Sequence, residues 1–312
     1  MIRTILKLLL CVMVYAIVFI FSNVIMPFSE SFKALGFSES GNPLPLTVIS
    51  ALVCFTVYYV VRHSNYTGIK LFLNLVFVLF FVQLFMAQIE TALFGHAFPA
   101  LTKLDILLIM FAGLLPLLVT VPIMIKFFQN NNAAAVKVPI NNQPQGLHCD
   151  SEFLDIKPSP RIDYNSLIIK LCMTGIIYAC IYMIFGYFVA WQFEELRIFY
   201  SGSPDKLSFF GQLAANIKTS PVIYPFQVLR GVLFGVFVIP LINMTDSKKV
   251  FIADICLVYS YLGYIFILPN VLFPDMVRVG HFIEMTSSML IFGIIVGNIL
   301  WPLKRPDNII PD

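Results

Sequence analysis

Seven residues in this chain combine chemistry with an unusual setting: Gln88, Glu90, Gln192, Glu194, Arg230, His281 and Glu284 all sit in or at the edges of long apolar runs. Each is expensive to place in hydrocarbon, so each is a candidate for binding or proton exchange. Arg230 is the sharpest case. It falls inside an apolar run, about eight residues, or ~12 Å, from the nearer end. An arginine at the centre of a membrane helix costs about 2.5–3.5 kcal/mol, so it should turn inward and pair with a carboxylate. Glu90 and Glu284 lie at similar depth in their own runs and are the expected partners.

The remaining candidates suggest roles by type. Gln88 and Gln192 carry amides that can orient a ligand. His281 and Glu284 stand at i and i+3, so they share a helix face and can exchange protons. Two histidines (His96, His281) and two glutamates (Glu90, Glu284) are the ligand types of zinc or iron, but the spacing is ordinary and no metal is assigned. Gln88-Ile89-Glu90 and Gln192-Phe193-Glu194 repeat a pattern that would fit an internal repeat. Trp191 and Tyr200 suit an aromatic belt at a membrane interface. Glu194, Glu195 and Arg197 either continue a helix into water or turn toward the pocket of Glu90.

The elements that must hold these residues are membrane helices. Of 312 residues, 59% are hydrophobic and 12% charged, against about 25% charged in an ordinary soluble domain. Mean hydropathy is +0.88. Apolar runs cover roughly 5–26, 45–61, 69–92, 104–127, 166–190, 222–244, 250–272 and 279–301. Hydrocarbon offers no partner to an open backbone group, so each run should be helical. The expected fold is all-α: a polytopic bundle of about eight transmembrane helices. Residues 1–128 carry helices 1–4 and 166–303 carry helices 5–8. A polar cytoplasmic linker fills 129–165, and 304–312 form a cytoplasmic tail. The first run is too long and lacks the cleavage site of a signal peptide, so it reads as a retained span. An amphipathic helix near 204–218 should lie on the outer interface, with Ser203 as its cap and Pro204 at its first position.

Thirteen of the twenty lysines and arginines fall on the side of the termini and the linker, which places that side in the cytoplasm. The polar candidates then gather toward the extracytoplasmic face. Composition leans toward a bacterial cytoplasmic membrane. Five of the six cysteines lie in apolar runs and read as packing residues, with Cys149 alone in the linker. Pro116, Pro122, Pro240 and Pro269 fall in or beside runs and can interrupt helices.

The chain contains no P-loop, Gly-x-Gly-x-x-Gly, His-Glu-x-x-His or Gly-x-Ser-x-Gly motif, so no cofactor is expected. A net charge of +3 suggests no nucleic-acid partner. The expected partners are the lipid bilayer and a small solute or ion. Three functions follow. The first is a permease-type protein handling a small solute or ion. The second is a membrane-embedded enzyme acting on a lipid-linked or outer-face substrate. The third is an assembly or sensory subunit whose charges only hold helices together.

Overall fold

The structure is a computed structural model that describes residues 2–35, 42–129, 164–269 and 272–303. Nearly all of the linker, the tail and Cys149 lie outside the described residues. Eight helices are long and apolar enough to cross a membrane: α1 (Ile2–Ile25), α2 (Leu44–His63), α3 (Gly68–Leu93), α4 (Lys103–Phe128), α5 (Tyr164–Gln192), α8 (Ile223–Ile242), α9 (Lys248–Ile267) and α10 (Asp275–Leu300). Between α5 and α8 lie two shorter helices, α6 (Glu194–Ser201) and α7 (Phe209–Thr219). The described residues contain no strand. This is a multi-pass, all-helical membrane architecture. Outward faces are apolar, as with Ile17, Leu73, Ile176 and Ile294, the reverse of a soluble bundle.

The helix limits have local causes. Pro43 precedes the first residue of α2, and Ser247 caps α9 by accepting from Val250 N. Thr102 and Asp105 form a capping box at the start of α4. Asp105 does more than cap. Its carboxylate accepts from Thr102 N and Oγ1 at 2.9 and 2.7 Å, and from Ser29 N and Oγ at 2.8 and 2.6 Å. Though fully buried, it therefore ties the α1–α2 connection to α4. Asp105→Ala is expected to cost about 2 kcal/mol, since four charge-assisted bonds are lost together. A fall in Tm of several degrees in detergent would show it, and an unchanged melt would contradict the role.

Three pairings dominate the bundle: α9 on α10, α5 on α8, and α1 on α4. The α5–α8 contact depends on small residues. A Cβ built on Gly231 would meet Tyr178 Cβ at 2.5 Å and Gly175 Cα at 2.8 Å, so only glycine lets the backbones approach this closely. Thr174 Oγ1 bridges the same contact by donating to Gly231 O at 3.2 Å.

Two membrane helices are irregular. In α3, residues Phe80–Phe85 form a π turn, and Met86 N donates to Phe81 O. In α8, the main helix ends at Phe237 and a single turn, Ile239–Ile242, follows around Pro240. Pro116 and Pro122 sit within an unbroken α4, and Pro269 follows the end of α9. Of the four prolines, only Pro240 thus coincides with an interruption inside a span. The π turn has no proline to announce it.

Some expected limits shift. The final span begins at Asp275, not 279, because Pro274 sets its start. The loop helix begins at Phe209, with Ser208 as its cap, whose Oγ accepts from Gly211 N. Ser203 instead closes a tight turn with Asp205. Of the five described cysteines, Cys11 and Cys54 are buried, Cys256 is half-buried, and Cys172 and Cys180 are exposed on the outward face.

Candidate functional site

The end of the bundle that carries residues 94–102, 192–222, 268–269 and 272–274 holds a cavity of about 800 Å³. Seven spans contribute wall residues, all from the halves nearest that end: Asn23 of α1, Ala87–Thr91 of α3, Ile109 of α4, Tyr182–Trp191 of α5, the start of α8, the end of α9, and His281–Met285 of α10. Beyond the floor the interior is closed. Val78, Leu79 and Val82 of α3 are buried there with Phe234 and Leu241 of α8, Tyr259 of α9 and Phe292 of α10. Tyr259 stacks on Phe292 at 5.4 Å and donates to Phe234 O at 2.9 Å.

Arg230 lies under the floor with no solvent exposure, and its Nη1 is 2.7 Å from Glu90 Oε1. The pairing expected from depth is therefore with Glu90 and not Glu284. Nη1 also meets Gln227 Oε1 at 2.9 Å, and Nη2 donates to Met86 O at 3.3 Å. Tyr178, Phe226 and Phe234 place ring centres 5.5–5.9 Å from the guanidinium, within cation–π range. Met86 follows the π turn directly, so this irregular stretch sets both the carbonyl and the carboxylate that hold Arg230. Glu90 differs from its partner: 24% of its side chain is exposed, and it lines the cavity.

The second polar group rises from α10. Glu284 is 5% exposed and also lines the cavity. Its Oε2 lies 3.7 Å from His281 Nδ1, too far for a direct hydrogen bond. His281 Nε2 is 2.9 Å from the Tyr200 hydroxyl on α6. Burial, with Glu90 and Glu284 close by, holds the Tyr200 phenol well above its ordinary pKa. Tyr200 therefore stays protonated, and its hydroxyl donates to Nε2 or accepts from it according to the imidazole tautomer. Phe266 stacks on the imidazole at 5.0 Å.

Of the seven residues singled out by type and spacing, five converge: Gln88, Glu90, His281 and Glu284 line the cavity, and Arg230 lies beneath it. Gln192 and Glu194 do not join them. Both are exposed and outside the cavity wall. Gln192 donates to Tyr187 O and accepts from Lys206 Nζ, while Glu194 opens α6. The cause is a break in the chain: α5 tightens to a 3₁₀ turn at Ala190–Gln192, and Phe193 is extended. The two Gln-x-Glu segments thus occupy unlike positions. Arg197 is buried and clamps this corner by donating to Pro204 O, Trp191 O and Gln192 O. His96 is exposed beside the cavity.

Helix α7 covers one side. Gln212, Leu213 and Asn216 face the cavity, and Phe210 and Ile217 point outward. Leu213, three residues after Phe210 and four before Ile217, thus faces the cavity while those two do not. Residue type alone did not reveal Tyr182, which joins the wall, or Gln227, which holds Arg230. Gln227 stands at i−3 to Arg230 and Tyr182 at i+4 to Tyr178, and helical spacing is the one signal that could have linked them. Among the described residues, no three of His, Cys, Asp and Glu group so as to hold a metal ion. No family model, curated protein or solved structure matches the chain.

Proposed function

We propose that this chain is a permease-type protein whose cavity takes a small solute from one face of the membrane. The lysine and arginine distribution supports reading that face as extracytoplasmic, and composition supports a bacterial cytoplasmic membrane. One observation carries the reading. Both helices that supply the ion pair under the cavity, α3 and α8, are interrupted just beyond it, by the π turn and by the Phe237–Ile239 break. The interruptions touch: Phe237 stacks on Phe81 at 4.7 Å and meets Phe77 and Phe85 edge-on at 6.1 and 5.9 Å. Interrupted helices that meet beneath a polar floor supply a place for the bundle to hinge. Glu90 and Arg230 form its central charge pair, Gln88 orients the solute, and His281 with Glu284 exchanges protons.

Side-specific thiol labelling tests this. A single cysteine replaces Ala87, which lines the cavity one turn before Glu90, in a background without native cysteines. A membrane-impermeant reagent is expected to label it both in intact cells and in inverted vesicles. Labelling from one side only would overturn alternating access. That result would favour the second reading, a membrane-embedded enzyme, which the Tyr200–His281–Glu284 series supports as a proton relay.

A further inference from the structure

We infer that the cavity is built for an amphipathic organic cation, an amine or quaternary ammonium carrying apolar groups. This rests on the cavity being a solute site and adds the class of solute. The wall contains two carboxylates, Glu90 and Glu284, and no lysine or arginine. Arg230 offers an anion in the cavity no direct contact. It has no exposed surface, and Glu90, Gln227 and the Met86 carbonyl already engage its guanidinium. One permanent cation thus serves two carboxylates. Glu284 is the one left over, buried and 3.7 Å from the imidazole that is its nearest basic group. A buried carboxylate whose nearest basic neighbour is an imidazole 3.7 Å away carries a desolvation cost that a bound cation relieves.

The rest of the wall fits the apolar part and the charge together. Phe94, Tyr182, Trp191, Tyr200 and Phe266 surround the same space. Trp191 stacks on Tyr200 at 6.5 Å, and Phe94 meets Tyr200 edge-on at 5.8 Å. Aromatic faces beside carboxylates are how proteins hold ammonium groups that are too large and too weakly hydrated for a metal-type site. An inorganic cation fits poorly. The volume is about 800 Å³, and no cluster of three ligand-type side chains exists among the described residues. A simple anion would meet two carboxylates and no lysine or arginine in the wall.

The test compares two probes of nearly equal shape and opposite charge, tetraphenylphosphonium and tetraphenylborate, on the full chain in nanodiscs. The chain has two tryptophans, Trp191 and Trp301. The Trp301→Phe variant leaves Trp191, in the cavity wall, as the reporter. The phosphonium is expected to quench its fluorescence saturably and to bind at least about tenfold more tightly than the borate, a difference of about 1.4 kcal/mol. Glu284→Gln should weaken phosphonium binding by about tenfold. Equal affinities, a preference for the borate, or no saturable binding of either would overturn the inference. The charge comparison uses the native site, so it decides even if Glu284→Gln does not fold. The two readings fail separately. Two-sided labelling at position 87 without a phosphonium preference removes the cation class and leaves the permease. Phosphonium binding with one-sided labelling does the opposite.

Discussion

Glu90→Leu should destabilise the protein more than Arg230→Met, although the two residues form one ion pair. The asymmetry comes from burial. Removing Glu90 strands a guanidinium that has no exposed surface and sits within the apolar depth of the bundle. Breaking a buried pair in this way costs about 3–5 kcal/mol. Removing Arg230 instead leaves a carboxylate with 24% of its side chain exposed to the cavity, where water can reach it. The loss should be about 1–3 kcal/mol. The double variant Glu90→Leu/Arg230→Met should recover much of the Glu90→Leu loss, because no unpaired charge remains. Unfolding in mixed detergent micelles would measure all three. A coupling energy near zero would mean that the pair contributes nothing beyond its separate residues. The geometry predicts instead a coupling of about 2 kcal/mol or more, since Gln227 and the Met86 carbonyl cannot replace a full negative charge.

Gly231→Leu is expected to prevent normal assembly of α5 on α8. The added Cβ would lie 2.5 Å from Tyr178 Cβ, 2.8 Å from Gly175 Cα and 2.8 Å from Thr174 O. Two of these atoms are backbone, so no side-chain rotation relieves the clash. Overpacking in an adaptable core costs about 1–3 kcal/mol. Here the helices themselves must separate, and the loss should exceed that range. The damage also reaches the site, because Arg230 is the preceding residue and Tyr182 lies one turn beyond Tyr178. Expression in the membrane fraction and phosphonium binding should therefore fall together. Gly186→Ala is the control. Nothing lies within 4 Å of its added Cβ, and alanine is favoured over glycine within a helix by about 1 kcal/mol. Equal tolerance of both substitutions would disprove the close-approach argument.

The span count and the inward-facing arginine were legible in the sequence for one reason. Hydrocarbon penalises both exposed backbone and unpaired charge, so composition along the chain reveals both. The depth argument brought Glu90, Arg230, His281 and Glu284 to one end of the bundle, but it could not choose the partner of Arg230. Depth is a single coordinate, and Glu90 and Glu284 share it. The choice required the rotation of α3 about its own axis, which the proline-free π turn alters. Gln192 and Glu194 were candidates because they stand at the outer end of an apolar run, and the sequence left open whether the helical periodicity continues into water or the segment turns toward the pocket of Glu90. The 3₁₀ turn and extended Phe193 break that periodicity and send both side chains to the surface.

The loop helix shows the same limit. Its amphipathic spacing was visible in the sequence. Its start at Ser208 and its inward face of Gln212, Leu213 and Asn216 follow from what it covers. The sequence by itself determined that this is an all-helical, multi-pass membrane protein with ionisable side chains near one end. Those properties are sums over single residues against a uniform solvent. Only the tertiary structure decided that the carboxylates face an aromatic cavity while the arginine lies behind one of them. That arrangement depends on helix rotation and on where backbones can touch, and these are set by contacts between residues far apart in the chain.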